Sequence, residues 1–302
     1  MTDEKTNALA LRGEKALAQN GTNALGLKPK FLIVGYGRMG KLVHKVLEER
    51  EENLVGIAEP DHEKVPEDIR EKLWIPDVTR LADGDSEDTA PDNPGIVYEA
   101  DTAICFTDPD TGYETTKYLV SRGIDTVVGT TKWYLNEDKS VNREMIAELD
   151  ELADKNDCRF LYASNFSIGM NAFWQNLMQL APMLAKAGYD VAVVEEHHTG
   201  KADISGTAMT IGQILLDAYD SKKRLKTKDF DQKIEPDEIS IAVVRAGSTP
   251  GTHKVVFDSD VDRIELVHYV RDREIFAKGA VDAAYWLKEQ LPGAYAITDR
   301  LK

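Results

Sequence analysis

Hydrophobic and polar positions fall into two textures along this chain. From Lys30 onward, short apolar runs at 31–34, 54–59, 102–106, 126–129 and 159–162 read as strands. Runs with helical spacing separate several of them: one through Val43, Val46 and Leu47, one over 112–122 and one over 141–156. Short apolar runs bounded by turn residues fit buried strands, and i, i+3, i+4 spacing marks helices that cover them. A weaker helix is expected near 66–74. Strands alternating with helices at this spacing predict an α/β fold, a Rossmann-like doubly wound parallel sheet.

Beyond Asn165 the texture changes. A helix is expected at 170–187, a strand at 189–194, a helix at 208–218 and a charged connector at 221–237. Strands at 239–245, 251–259 and 262–270 then follow one another with short turns. Such spacing predicts an antiparallel or mixed sheet, hence a second α+β domain. A last helix at 277–290 fits either domain. Residues 1–28 are polar and rich in Ala and Asn, and read as a loose helix or tail outside the main fold.

At 302 residues the chain is long enough for two domains with cores of their own. A net charge of −16 argues against nucleic acid and against anionic membranes as partners. It does not exclude an anionic substrate, because a local basic cluster overrides the global sign. No window approaches the roughly 18 apolar residues that span a bilayer. The N-terminal Met-Thr-Asp-Glu-Lys lacks an apolar signal core, so a cytoplasmic location is expected. Cys105 and Cys158 lie far apart with no metal-ligand spacing, and no metal site is expected.

Two segments carry chemistry. In the first, Gly35-Tyr36-Gly37-Arg38-Met39-Gly40 follows an apolar strand and opens a helix, and Glu59 ends the next strand 19 residues after Gly40. That context is what a dinucleotide fingerprint requires: glycines for the turn and the close approach of a pyrophosphate, and an acid for the ribose hydroxyls. An acid at Glu59 repels a 2′-phosphate and favours NADH, while Arg38 and Lys41 sit close enough to tolerate NADPH. Gly129-Thr130-Thr131 and Ala163-Ser164-Asn165-Phe166 each follow a later strand, where such folds hold the rest of the cofactor.

The second segment runs from Glu195 to Ala208 and contains His197, His198, Lys201 and the turn Ser205-Gly206-Thr207. A strand precedes it and a helix follows it. Unpaired N–H groups at a helix start suit a carboxylate or phosphate. Imidazole, and an ammonium if desolvated, supply protons near neutral pH. The segment is built for a small acidic substrate.

Taken together, the chain from Phe31 onward resembles the dihydrodipicolinate reductase family. The resemblance rests on Gly-Arg-Met-Gly at 37–40, Val-Gly-Thr-Thr at 128–131, Ser-Asn-Phe-Ser at 164–167, the Glu-x-His-His-x-x-Lys-x-Asp run, Val-Arg-Ala-Gly at 244–247 and Phe-Ala-Lys-Gly-Ala at 276–280. It implies hydride transfer from NADH or NADPH to C4 of an unsaturated dicarboxylic ring and proton delivery at C3. His197 then matches the family's proton donor or acceptor and Lys201 its proton-donating lysine. His198, Gly206 and Thr207 match substrate contacts, with Ser205 beside them. Gly35 to Met39, Glu59, Gly129 to Thr131, Ala163 to Phe166 and Arg273 match the cofactor side. The family implies a homotetramer joined through the second domain. It also returns the last helix to the first domain, giving a dinucleotide-binding domain of 29–166 completed by 274–302 and a substrate-binding and oligomerisation domain of 167–273.

The chain departs from the family pattern at Asp203-Ile204-Ser205-Gly206-Thr207, which is one residue shorter and lacks a proline, and at Lys132, where glycine is usual. The shorter loop keeps open a related dehydrogenase acting on another small amino or imino acid. A silent nucleotide-binding regulator is the third reading, against which the retained His197, His198 and Lys201 count. His253 and His268 are expected to be structural or interface residues and His44 and His62 to lie at the surface. Phe173, Trp174, Leu177 and Leu180 are expected in a core, and the acidic stretch 83–92 as a solvated excursion.

Overall fold

The computed structural model describes residues 28–78, 99–136, 141–228 and 231–301. Of the tail expected at 1–28, residues 1–27 lie outside the described residues, as does the acidic stretch at 83–92. The chain forms two units.

The first unit opens with β1 (Lys30–Val34), α1 (Arg38–Glu49) and β2 (Asn53–Ala58). It continues with α2 (Glu67–Leu73), β3 (Trp74–Ile75), β4 (Thr102–Cys105), α3 (Gly112–Ser121), β5 (Asp125–Val128), α4 (Arg143–Lys155) and β6 (Arg159–Tyr162). The strands pair in parallel in the order β3-β2-β1-β4-β5-β6. This is the doubly wound order, in which the order of strand addition reverses between β1 and β4 and ligands bind beyond the strand ends at that point. Both faces of the central strands are covered. Leu32, Val34, Ala103 and Cys105 join one apolar cluster, while Phe31 meets the Tyr285 ring edge-on at 5.8 Å. Cys105 is a buried apolar residue, and burial pushes its thiol pKa far up.

The second unit contains α5 (Ile168–Lys186), β7 (Asp190–His197), α6 (Gly206–Ala218), β8 (Arg224–Lys226), β9 (Glu238–Arg245), β10 (Gly251–Asp258) and β11 (Arg263–Val270). Its sheet runs β11-β10-β7-β9-β8 and is mixed: β10 is antiparallel to β7 and β11, whereas β9 is parallel to β7 and β8. The helix α5 starts two residues earlier than its apolar pattern suggests, because the Ser167 hydroxyl caps it by accepting the Met170 N–H. The core joins Phe173, Trp174 and Leu177 of α5 and Ile211 and Leu215 of α6 to Val191, Val193, Ile241, Val255 and Phe257 of the sheet. Leu180 is only partly buried beside it.

The chain ends with α7 (Glu274–Lys288) and β12 (Gly293–Ala296). Residues 280–295 group with the first unit, where β12 lies beside β6 and extends the sheet to seven strands. Residues 296–301 group with the second. Among the described residues no helix is long and apolar enough to cross a membrane.

Candidate active site

In the first unit, the loop after β1 is fixed by two of its glycines. Gly35 has φ +87°, and a Cβ there would lie 2.4 Å from the Phe106 carbonyl oxygen. A Cβ on Gly40 would lie 2.1 Å from the Gly35 oxygen. Gly37 is different: it is the N-cap of α1, no side chain caps the helix there, and a Cβ on it would meet nothing within 4 Å. The protein's own backbone therefore explains the first and third glycines, and the open helix start at the second fits a pyrophosphate.

Glu59 is buried behind this loop. Its Oε2 accepts the Tyr36 N–H at 2.8 Å, and its Oε1 accepts from Lys64 Nζ at 2.9 Å and from the Asp61 N–H at 3.1 Å. Burial raises its pKa, but these donors outweigh burial and hold the carboxyl below its ordinary range. Glu59, the residue after β2, thus braces the glycine loop. Tyr36 also engages His44 through its hydroxyl, and burial first, then Glu48 and Asp68, push its pKa up to about 12. The expectation of a surface His44 is corrected: its helix face turns inward against Tyr36, and it is buried. Arg38 is exposed, and Lys41 lies 5.8 Å over the Tyr36 ring.

Beyond β5, Gly129 packs so closely on the Phe106 ring that a Cβ would sit 2.1 Å from it, and the Thr130 hydroxyl donates to the Thr107 carbonyl at 3.0 Å. Thr131 is half-buried and Lys132 is exposed.

In the second unit, Ala163 and Phe166 are buried, Ser164 is exposed, and Asn165 Nδ2 reaches the Thr207 hydroxyl at 3.3 Å. Arg273 is partly exposed ahead of α7, its carbonyl accepting the Phe276 N–H.

The strand β7 explains the His-Lys segment. Its alternate residues Val191, Val193, Glu195 and His197 are all buried, so one sheet face is apolar at one end and ionisable at the other. Across the ladder, Glu195 stands opposite His253 of β10, and His197 opposite Arg245 of β9. Glu195 is fully buried. Its Oε1 accepts from Arg245 Nη2 at 2.7 Å and its Oε2 accepts the Ser205 N–H at 3.0 Å. The same guanidinium donates to the Lys201 carbonyl at 2.9 Å and the Asp203 carbonyl at 2.9 Å, which ties down the loop between β7 and α6. Ser205 caps α6 by accepting the Ala208 N–H at 3.0 Å, and its hydroxyl meets His253 Nε2 at 2.9 Å. Next to it, a Cβ on Gly206 would meet nothing within 4 Å, so the helix start is open there.

His197 Nδ1 lies 3.7 Å from Glu195 Oε2 and makes no hydrogen bond; its ring meets His253 edge-on at 5.4 Å. A Cβ on Gly251 would stand 3.0 Å from His197 Nε2, so glycine there leaves room for the imidazole. Burial lowers the His197 pKa, Glu195 partly offsets this, and Lys201, Arg245 and His198 lower it further; the net direction is down. His253 is pushed down to about 4, by burial first and by His197 next. For Glu195, burial raises the pKa, but hydrogen bonds from Ser205 and Arg245 and the charge of His197 bring it below the ordinary value.

Glu195, His197 and His253 each offer a donor atom, all within 4.8 Å of one another. The Arg245 guanidinium already supplies the counter-charge of Glu195, so a charge-paired polar network describes the cluster better than a cation site. Sequence reasoning singles out His197, His198, Lys201 and Ser205–Thr207, which the structure brings onto one strand end, loop and helix start. It gives Glu195 and Arg245 no role of their own and reads His253 as structural or interface, without placing it in this cluster. A signal exists for two of them: period-two alternation puts Glu195 on the face of Val193 and His197, and His253 on that of Val255 and Phe257.

Comparison with known proteins finds two family models that match. One, described as "Dihydrodipicolinate reductase, N-terminus", covers residues 29–166, and its C-terminal counterpart covers 169–301. A 4-hydroxy-tetrahydrodipicolinate reductase from Christiangramia forsetii is 32% identical over 271 residues, spanning 89% of this chain and 96% of that protein. One from Chromohalobacter salexigens is 34% identical over 283 residues, spanning 90% and 98%. Among solved structures, a dipicolinate-bound dihydrodipicolinate reductase from Paenisporosarcina sp. TG-14 has the same fold, with a TM-score of 0.65, 19% identity and coverage of 90% and 99%.

Proposed function

Because this chain belongs to the dihydrodipicolinate reductase family, we propose that it reduces 4-hydroxy-tetrahydrodipicolinate to tetrahydrodipicolinate with NAD(P)H, in diaminopimelate and lysine biosynthesis. It is an NAD(P)H-dependent oxidoreductase. The observation that carries the reading is the folded Glu-x-His-His-x-x-Lys-x-Asp segment: His197 ends β7, Lys201 sits on a loop pinned by Arg245, and Ser205 caps a helix whose start is open at Gly206.

When bound, the nicotinamide cofactor supplies the hydride. The chain's residues supply binding and proton transfer. Gly35 to Gly40 and the α1 N-terminus take the pyrophosphate, with Gly129 to Thr131, Ala163 to Phe166 and Arg273 completing the cofactor side. His198, Gly206 and Thr207 hold the substrate carboxylates. Ser205 has its N–H and hydroxyl engaged by Glu195, Ala208 and His253, so its part is to fix the helix start beside them. Lys201 delivers the proton at C3, and His197 is the neighbouring proton donor or acceptor. The test is NAD(P)H oxidation by the purified protein with enzymatically generated substrate. Steady oxidation is expected; none, with cofactor binding intact, would sink the assignment.

Between the two cofactors we assign a preference for NADH, supported by the low pKa of Glu59, which keeps its charge at the end of β2. Lys64, half-exposed and paired with Glu59, tempers it. Like charges about 4 Å apart repel by about 1 kcal/mol even in water. Glu59→Gln is therefore expected to raise the NADPH/NADH ratio of kcat/KM by about fivefold or more, and an unchanged ratio would remove Glu59 as the discriminator.

A homotetramer joined through the second unit is supported by Val244 and Tyr269, which lie on β9 and β11 and are 43% and 68% exposed. A cytoplasmic location fits two free, buried cysteines.

A further inference from the structure

Glu195 has a buried, charged carboxylate that meets three elements at once. It accepts the N–H of the α6 cap, it pairs with the arginine that holds the Lys201 loop, and it faces the imidazole of His197. We propose that Glu195 is a positioning residue for proton transfer, acting with Arg245 and His253. It sets His197, the Lys201 loop and the start of α6 in one arrangement and supplies the negative charge that the histidine needs. The inference rests on the assignment of His197 and Lys201 to proton transfer.

The surroundings of His197 support this. From its own strand it faces Glu195; from the following loop, His198 and Lys201; from β9, Arg245; and from β10, His253. The loop groups and Arg245 all disfavour a protonated imidazole, and so does burial. Among these, Glu195 alone favours it. His253 stands opposite Glu195 in the ladder, with Nε2 3.8 Å from Oε2 and 2.9 Å from the Ser205 hydroxyl, and so closes the polar cluster on the α6 side.

Stability alone does not call for such a group. A buried ion pair replaced by apolar residues of equal volume is often as stable or more so. A carboxylate buried with no exposure, between Val193 and His197 on one strand face, is accounted for by what it holds and charges.

The deciding measurement is the imidazole titration of His197, followed by NMR in histidine-labelled full-length protein, in wild type and in Glu195→Gln. Loss of the charge is expected to lower the His197 midpoint by about one pH unit or more. In the same variant, the limb of the kcat/KM profile that reports His197 moves to lower pH by a similar amount. Turnover falls while the Kd for NAD(P)H stays at its wild-type value. In Glu195→Asp, which keeps the charge but holds it farther from the imidazole, the limb moves in the same direction by a smaller amount.

An unshifted midpoint and limb in Glu195→Gln would overturn the proposal, even if activity and stability both drop, because that pattern marks a purely structural role. Should Glu195→Gln not fold, Glu195→Asp carries the same test: a smaller change in the same direction supports the proposal and no change overturns it. The titration requires no substrate, so it decides the role of Glu195 separately from the assay that decides the reaction.

Discussion

Replacing Lys201 by alanine is expected to lower kcat by about 10²- to 10⁴-fold, the range that a positioned general acid contributes. The Kd for NAD(P)H should stay near the wild-type value, because the glycine loop belongs to the other unit. The scaffold around Lys201 does not depend on its side chain. The loop is held by backbone groups, the Lys201 N–H donating to the His198 carbonyl and the Lys201 carbonyl accepting from Arg245. Among the described residues no carboxylate pairs with its ammonium. Truncation therefore removes a charge and a proton without removing an anchor. Lys201→Arg sharpens the test. It keeps the positive charge that attracts a carboxylate, but a guanidinium does not release its proton near neutral pH. The expected signature is a nearly preserved KM with a lost kcat, read by steady-state kinetics. Wild-type turnover in either variant would exclude Lys201 as the acid.

The second large effect is on stability. His253 is buried neutral, with its pKa moved from 6.5 down to about 4, and burial also lowers His197 and His268. In the unfolded chain these imidazoles take up protons near pH 6.5, whereas the folded protein resists until lower pH. Their contribution is thus fully present above about pH 6.5 and is lost as pH falls through the folded values. For His253 alone the loss between about pH 6.5 and 4 amounts to about 3 kcal/mol, since each tenfold difference in proton affinity between the two states is worth about 1.4 kcal/mol. Hydrogen exchange at the amides of β7 and β10, measured across this range, should show protection falling with pH. His253→Gln should flatten that dependence. An equally steep fall in the variant would show that the acid sensitivity lies elsewhere.

Much of the fold and the site is legible in the chain, and what is not has identifiable causes. The apolar run at β1, the glycines after it and the acid at the end of β2 form a local pattern, and local patterns survive folding. Strands β8 and β12 escape a sequence reading because Arg224–Lys226 and Gly293–Ala296 are short and carry almost no apolar alternation. They become strands by pairing with β9 and β6, a non-local cause. His253 reads as structural because a histidine on a strand carries no mark of its neighbours; the ladder register that sets it opposite Glu195 comes from strands far apart in the chain. Arg245 lies inside a recognised motif, yet its reach to Lys201, Asp203 and Glu195 depends on the parallel pairing of β7 and β9. His44 lies in a helix rich in charge, which points it to the wrong face on paper; the phenol of Tyr36 gives its ring a buried partner.

The late placement of β12 beside β6 bears on how the protein is made. While a ribosome is still translating the second unit, β6 is the unguarded rim of an unfinished sheet. At about 5–20 residues per second the wait for β12 is on the order of 10 s. Through that interval the rim, with buried residues such as Phe160 and Leu161 behind it, is open to pairing with a neighbouring chain. Pairing with β12 closes that rim, so nascent chains that have not yet reached Gly293 are expected to aggregate more readily than chains with the completed sheet.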